Sequence, residues 1–233
     1  LDVSFNQELK NLYSVNNQLT NLITSNPKLE ILRCDLNLIT SLDVTQNPAL
    51  EELGCTVNQL TGLDVSQNSN LKWLYCNANQ LTSLDVSQNP ALERLDCDSN
   101  QLTSLDVSQN SNLGWFDCFS NDLSTLNIQN GANTTLYRMF AYDNFDLYCV
   151  EVDDVNYANN SPNCEGYPGN YGWCISATTS YSEDCPVLGI NDNENELTET
   201  GPYNLRPNRI RDFSYRFAFL SVREGLRKFG ELG

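Results

Sequence analysis

The stretch LERLDCDSNQLTSLDVSQN, residues 92–110, decides the fold because it states one pattern twice. Leu92, Leu95, Cys97 and Asn100 are separated by three, two and three positions, and Leu102, Leu105, Val107 and Asn110 repeat those steps. Around each middle pair apolar and polar residues alternate, which is the period of a strand whose side chains point to opposite faces. The asparagine that closes each phrase can satisfy backbone groups where the chain turns. Two such phrases leave no room for a helix of useful length.

Outward from this stretch the pattern recurs with a fixed period. Leu29, Leu50, Leu71, Leu92 and Leu113 stand 21 residues apart, as do Cys34, Cys55, Cys76, Cys97 and Cys118, and Asn37, Asn58, Asn79, Asn100 and Asn121. Degenerate copies lead back to Leu9, Leu12 and Asn17, one residue short, and on to Leu136, Met139 and Asn144, two residues long. Self-similarity on this scale means a solenoid, and L-x-x-L-x-C-x-x-N-x-L is the leucine-rich-repeat phrase. The predicted fold class is an all-β solenoid over residues 1–147, with two parallel sheets of short strands back to back and little or no helix. Leu95 and Cys97 point inward from the first sheet, Leu105 and Val107 from the second, with successive strands about 4.8 Å apart. A lone coil cannot repay the entropy of its own ordering, so stacking stabilises the array and both ends need caps.

These units resemble the bacterial leucine-rich-repeat class called IRREKO, whose units read LxxLxCxxNxLTxLDVSxN. The resemblance runs from residue 1 to about residue 147. It implies a secreted or surface-attached binding and adhesion module. A repeat already under way at Leu1 places the natural N-terminus, with any export signal, upstream.

Composition narrows the function. A net charge of −17 argues against nucleic acid, which needs Lys and Arg in excess. Residues 1–200 hold 6 basic and 27 acidic residues, while 201–233 hold 7 and 3. No run approaches the roughly 18 apolar residues that span a bilayer. Histidine is absent, which removes the usual general base, the commonest metal ligand and any Ser-His or Cys-His pair. The expectation is a non-enzyme with no catalytic residues and no metal.

The cysteines form two populations. Those of the repeat occupy a position that elsewhere carries Leu or Val, so they are expected as buried thiols acting as small hydrophobes. Cys149, Cys164, Cys174 and Cys185 break the period. Residues 148–185 resemble the C-terminal cap that follows the repeats in secreted bacterial proteins of this kind, with a Val-Asp-Asp stretch (152–154) between cysteines. An even count in a loop-rich segment predicts two disulfides. The favoured pairing is Cys149–Cys185 with Cys164–Cys174, although the spacing leaves all three connectivities open. Zinc held by all four is the rival, without a CxxC motif to support it.

The two outward faces differ. On the first, columns read Asn11, Ile31, Glu52, Trp73, Arg94, Trp115, Arg138; then Tyr13, Arg33, Gly54, Tyr75, Asp96, Asp117, Phe140; then Val15, Asp35, Thr56, Asn77, Asp98, Phe119, Tyr142. These vary between copies, so recognition is expected here, with Trp73, Tyr75, Arg94, Trp115, Phe119, Arg138, Phe140 and Tyr142 as candidate ligand-binding residues. Amphipathic rings suit a protein partner or a surface polysaccharide. The competing expectation is that Trp73, Arg94, Trp115 and Arg138 stack on one another through cation–π contacts. On the second face Thr40, Thr61, Thr82 and Thr103 form one ladder, Asp43, Asp64, Asp85 and Asp106 another, and Gln46, Gln67, Gln88 and Gln109 a third. A solvated ladder is the default there, with weak calcium binding the alternative to an array without cofactors.

Residues 186–200 read as an acidic linker leading into a basic tail, 201–233. LGINDNE (188–194) looks like the lead-in to the sorting domain of type IX secreted proteins, but the strands of such a domain do not follow. Phe213, Phe217 and Leu220 share one face of a short amphipathic helix, if one forms. The reading that results is an extracellular, monomeric, non-catalytic module that binds protein through the variable face. Polysaccharide binding and a structural spacer within a larger secreted protein are the alternatives.

Overall fold

The computed structural model describes residues 1–161 and 172–185. The first phrase of each coil forms a three-residue strand: β1 (Asn11–Tyr13), β2 (Ile31–Arg33), β3 (Glu52–Gly54), β4 (Trp73–Tyr75) and β5 (Arg94–Asp96). From there strands alternate between the two sides, as β6 (Ser104–Asp106), β7 (Trp115–Asp117), β8 (Thr125–Asn127), β9 (Arg138–Phe140) and β10 (Cys149–Glu151). A six-residue helix α1 (Val155–Asn160) precedes β11 (Gly172–Cys174) and β12 (Ser180–Ser182). The large sheet runs β1-β2-β3-β4-β5-β7-β9-β11 and the small one β12-β10-β8-β6, with every pairing parallel.

Register carries identical positions into straight rows. Leu12, Leu32, Leu53, Leu74, Leu95, Phe116, Met139 and Trp173 form the central inward row of the large sheet. Leu105, Leu126, Val150 and Tyr181 face them from the small one. Cys34, Cys55, Cys76, Cys97 and Cys118 are unpaired thiols with no exposure, beside equally buried Val44, Val65, Val86 and Val107. Burial pushes the Cys34 thiol up to about 12, so these sulfurs pack as apolar groups.

Two parallel rows of strands were expected in every coil. The second phrase packs inward along the array, but its backbone pairs only toward the two ends, as a parallel bridge between Asp2 and Ile23 and as a ladder from Ser104 onward. Between these ends the coils pair strand to strand on the first side alone. On the second side asparagine side chains join them instead. Asn68 Nδ2 donates to Val44 O at 3.0 Å and to Asn47 O at 2.8 Å, and Asn89 and Asn110 repeat this one coil on.

The asparagine row of the first side is fully satisfied. Asn100 Nδ2 donates to the carbonyls of Cys76 and Cys97, both at 3.1 Å, while its Oδ1 accepts from Leu81 N at 3.0 Å. One side chain thus closes its own turn and bonds the coil before it. The residue ahead of each such asparagine lies in the left-handed region: Asn16, Leu36, Val57, Ala78, Ser99, Ser120 and Asp143, at φ 53–58°. None is glycine, and this conformation costs an L-residue roughly 1–2 kcal/mol.

The cap continues both sheets. β11 adds the eighth strand to the large sheet, and β10 and β12 extend the small one. Asp153 receives Gly131 N and Asn133 N at 3.1 and 3.2 Å, pinning the loop where the repeat is two residues longer. Asp154 caps α1 by accepting from Tyr157 N at 3.0 Å. Trp173 lies 4% exposed, donates to Leu136 O at 2.7 Å and meets Tyr157 and Tyr181 edge-on. Cys149 and Cys185 form a disulfide that closes the cap. Cys174 is also disulfide-bonded. Its expected partner Cys164 and the tail expected from 186 onward lie outside the described residues.

Candidate functional site

The outer surface of the large sheet brings most of the expected residues into one run of contacts. Arg33 lies over Tyr75 at 4.1 Å, and Arg94 sits between Tyr75 at 5.0 Å and Trp115 at 4.0 Å. Arg138 sits between Trp115 at 4.3 Å and Phe140 at 3.7 Å. Both faces of Trp115 are therefore covered, one from the coil before and one from the coil after. Phe119 and Tyr142 stack 4.8 Å apart and 9° from coplanar, and Tyr137 meets Trp115 edge-on at 6.2 Å.

Trp73 stands outside this run, and Tyr75 takes the place expected for it. The cause is the aspartates of the neighbouring column. Arg94 is held by Asp96 of its own strand, with Nη2 to Oδ2 at 2.7 Å, which draws the guanidinium across to the column where Tyr75 lies. Arg138 is held in the same way by Asp117, two contacts of 2.7 and 2.8 Å, and Trp115 Nε1 donates to that carboxylate at 3.0 Å. Of the predicted stack, Arg94, Trp115 and Arg138 are in contact as expected, and Trp73 alone is replaced, by Tyr75 of the next column.

Gly54 makes the first link of the run. A Cβ there would meet the Arg33 side chain, with Nη1 at 2.7 Å, and Asp35 Oδ2 at 2.8 Å. The missing side chain is the notch through which Arg33 crosses one whole coil to reach Tyr75. The sequence shows this glycine in an otherwise side-chain-bearing column, and that was the available signal. The aspartates of the face carried no such mark.

Charge on the array is organised one way. Among the described residues every lysine and arginine is ion-paired: Lys10 with Glu30, Lys28 with Glu8, Arg33 with Glu52, Lys72 with Glu51, Arg94 with Asp96 and Arg138 with Asp117. Three aspartates of the face are themselves buried, Asp117 at 4%, Asp96 at 8% and Asp98 at 9% exposure. Asp96 and Asp117 each hold an arginine. Asp98 accepts from the Ser99 hydroxyl at 3.1 Å and from its own backbone N–H, and pairs with no lysine or arginine among the described residues. Burial, reinforced by Asp117 and Asp96, raises its carboxyl to about 7.

The opposite side is uniform. Asp43, Asp64, Asp85 and Asp106 each accept, through Oδ1, the backbone N–H two residues on, at 2.8–2.9 Å. The Thr45 hydroxyl and backbone hold Asp43 below the usual carboxylate value, and Ser66 and Ser87 act likewise on Asp64 and Asp85. Each carboxylate is thus engaged, through Oδ1, within its own coil.

Comparison with known proteins agrees with this architecture. Residues 69–110 match the family model for leucine-rich repeats (2 copies). A search of curated proteins gave no match. The functional domain of InlJ from Listeria monocytogenes, which includes a cysteine ladder, is similar at 31% identity and a TM-score of 0.62, over 77% of this chain and 42% of that one. A leucine-rich-repeat protein of Leptospira interrogans is similar at 28% identity and a TM-score of 0.54, over 63% of this chain and 43% of that one. Internalin C2 of L. monocytogenes shares the fold at 21% identity and a TM-score of 0.52, over 67% and 69% of the two chains. The chain spans less than half the length of the first two. It carries leucine-rich repeats, and its fold is that of an internalin-like solenoid.

Proposed function

We propose that this chain is an extracellular, non-catalytic binding module whose partner is a protein, engaged by the outer surface of the large sheet. The observation that carries the reading is the covering of the ring faces. Sugars stack on a bare aromatic face, whereas Trp115 and Tyr75 each have both of theirs met by arginines, and Phe119 has one of its two met by Tyr142. Of Tyr75 and Trp115 the ring edges remain outward, beside arginines held in fixed positions by carboxylates, which suits a protein surface of matching shape. The variation of this face between coils, against the uniformity of the other, favours it as the place of recognition. The non-catalytic part rests on the absence of histidine and on a leucine-rich-repeat scaffold.

The test uses labelled protein on two arrays, one of glycans and one of folded extracellular proteins, with Tyr137→Ser as a variant at the exposed margin of the face. Saturable binding to proteins, weakened in the variant, supports the reading. Saturable binding confined to glycans overturns it.

A further inference from the structure

We infer that the protein partner presents a lysine or arginine side chain that seats at Asp98 on the large sheet; this deepens the binding reading above and rests on it. Two independent observations carry it. The first is the state of the cations: every lysine and arginine of the described array is already ion-paired, so its 6 basic residues leave none to meet an anionic partner. Acid in excess is the charge the array offers, and the complementary partner is cationic.

The second is local to one side chain. Of the three buried aspartates in the aromatic half of the face, Asp96 and Asp117 are neutralised by bidentate arginines, and Asp98 is the one without a cation. It is nine-tenths buried, with the adjacent Ser99 hydroxyl and its own backbone N–H as its hydrogen-bond donors. A carboxylate taken out of water without a counter-charge is costly. Its column places Asn77 one coil before it and Phe119 one coil after, so a partner side chain entering there has an amide on one side and an aromatic ring on the other. An ammonium or guanidinium group would supply the missing charge and lay its aliphatic stem along Phe119.

The charged and titratable groups that act on Asp98 are Asp96 on its own coil, Asp117 one coil on, and the buried thiols of Cys76, Cys97 and Cys118. All of the thiols are held protonated by burial. Binding of a cation then depends on ionised Asp98, whose carboxyl stands at about 7. A proton competes with the partner below that value. From pH 8 to pH 5.5 the ionised fraction, and with it the affinity, falls roughly thirtyfold.

The probe is a phage-displayed random peptide library selected on the immobilised protein at pH 8. The expected outcome is sheet-face binders, competed by one another and weakened by Tyr137→Ser, in which Lys or Arg is enriched. Their affinity should fall at least tenfold in Asp98→Asn and roughly thirtyfold at pH 5.5. Asp98→Asn is a neutral isostere, and its thermal melt checks that it folds; Asp106→Asn on the other face should bind like the parent. Sheet-face binders without basic residues, or binding undiminished in folded Asp98→Asn, overturn this inference and leave the protein-binding reading standing. A library that yields no sheet-face binder at all counts against both.

Discussion

Replacing Val65 by threonine should be close to neutral, although a hydroxyl introduced into a core usually costs about 1–3 kcal/mol. The reason lies in the second asparagine row. Thr24 Oγ1 donates to Asn47 Oδ1 at 2.9 Å. In the next three coils Val44, Val65 and Val86 occupy the place of Thr24, and Asn68, Asn89 and Asn110 each leave Oδ1 buried with no donor. A valine methyl stands where the hydroxyl would be. Val65→Thr offers a proton to the waiting Asn89 oxygen, and the new bond returns about 0.5–1.5 kcal/mol while removing an unsatisfied acceptor. Val107→Thr is the control, because Asn130 Oδ1 already accepts from Ala132 N at 3.0 Å. Thr24→Val, the converse change, should lose about 1–3 kcal/mol by orphaning Asn47. Urea unfolding of the three variants decides the matter. Val65→Thr is expected to lie within about 1 kcal/mol of the parent and to be more stable than Val107→Thr by about 1–3 kcal/mol. Equal destabilisation of the two refutes the reasoning.

Gly54→Ala should cost about 1–3 kcal/mol and displace Arg33 from Tyr75, seen as a lowered melting temperature and an altered tyrosine signal, while Gly62→Ala, with nothing near its Cβ position, leaves both unchanged. Val57→Asn should stabilise by about 1 kcal/mol in chemical denaturation, because a β-branched residue at φ 53° gives way to one that tolerates the left-handed region. Asp98→Asn should remove a pH dependence. The folded carboxyl near 7 binds its proton more tightly than the unfolded one near 3.8, so the parent loses stability as pH rises between those values. Over that window the variant should gain on the parent by at most about 4 kcal/mol, and parallel stability-versus-pH curves would exclude it.

The two-sided core was legible because its rule is local: period two within each phrase, period 21 between phrases. Leu95, Cys97, Leu105 and Val107 could be placed inward from spacing alone, and all four are buried. The gap in backbone pairing on the second side, between Ile23 and Ser104, was not legible, since inward packing and hydrogen bonding between coils are separate conditions, and only the first is written in the alternation. The Arg94–Trp115–Arg138 part of the stack was legible in the columns, and its first member was not, because which ring an arginine covers is settled by the carboxylate that holds it. Asp96 and Asp117 do that holding, and their role depends on side-chain reach across coils. The left-handed residues also left no mark: Leu36, Val57 and Ala78 are not turn formers, and the stack imposes the conformation on them.

Recognition by the large sheet requires that blocking this side of the solenoid, and not the other, abolishes partner binding. Single cysteines introduced at Tyr137 beside the large sheet, or at Gln67 on the opposite side, can each be capped with a polyethylene-glycol maleimide, while the five repeat thiols stay unreactive by burial. Binding to a sheet-face peptide selected from the library is then measured by calorimetry. Loss of binding with the polymer at 137 and unchanged affinity with it at 67 is the predicted result. The reverse pattern, or indifference to both, would contradict the assignment of the large sheet as the binding face.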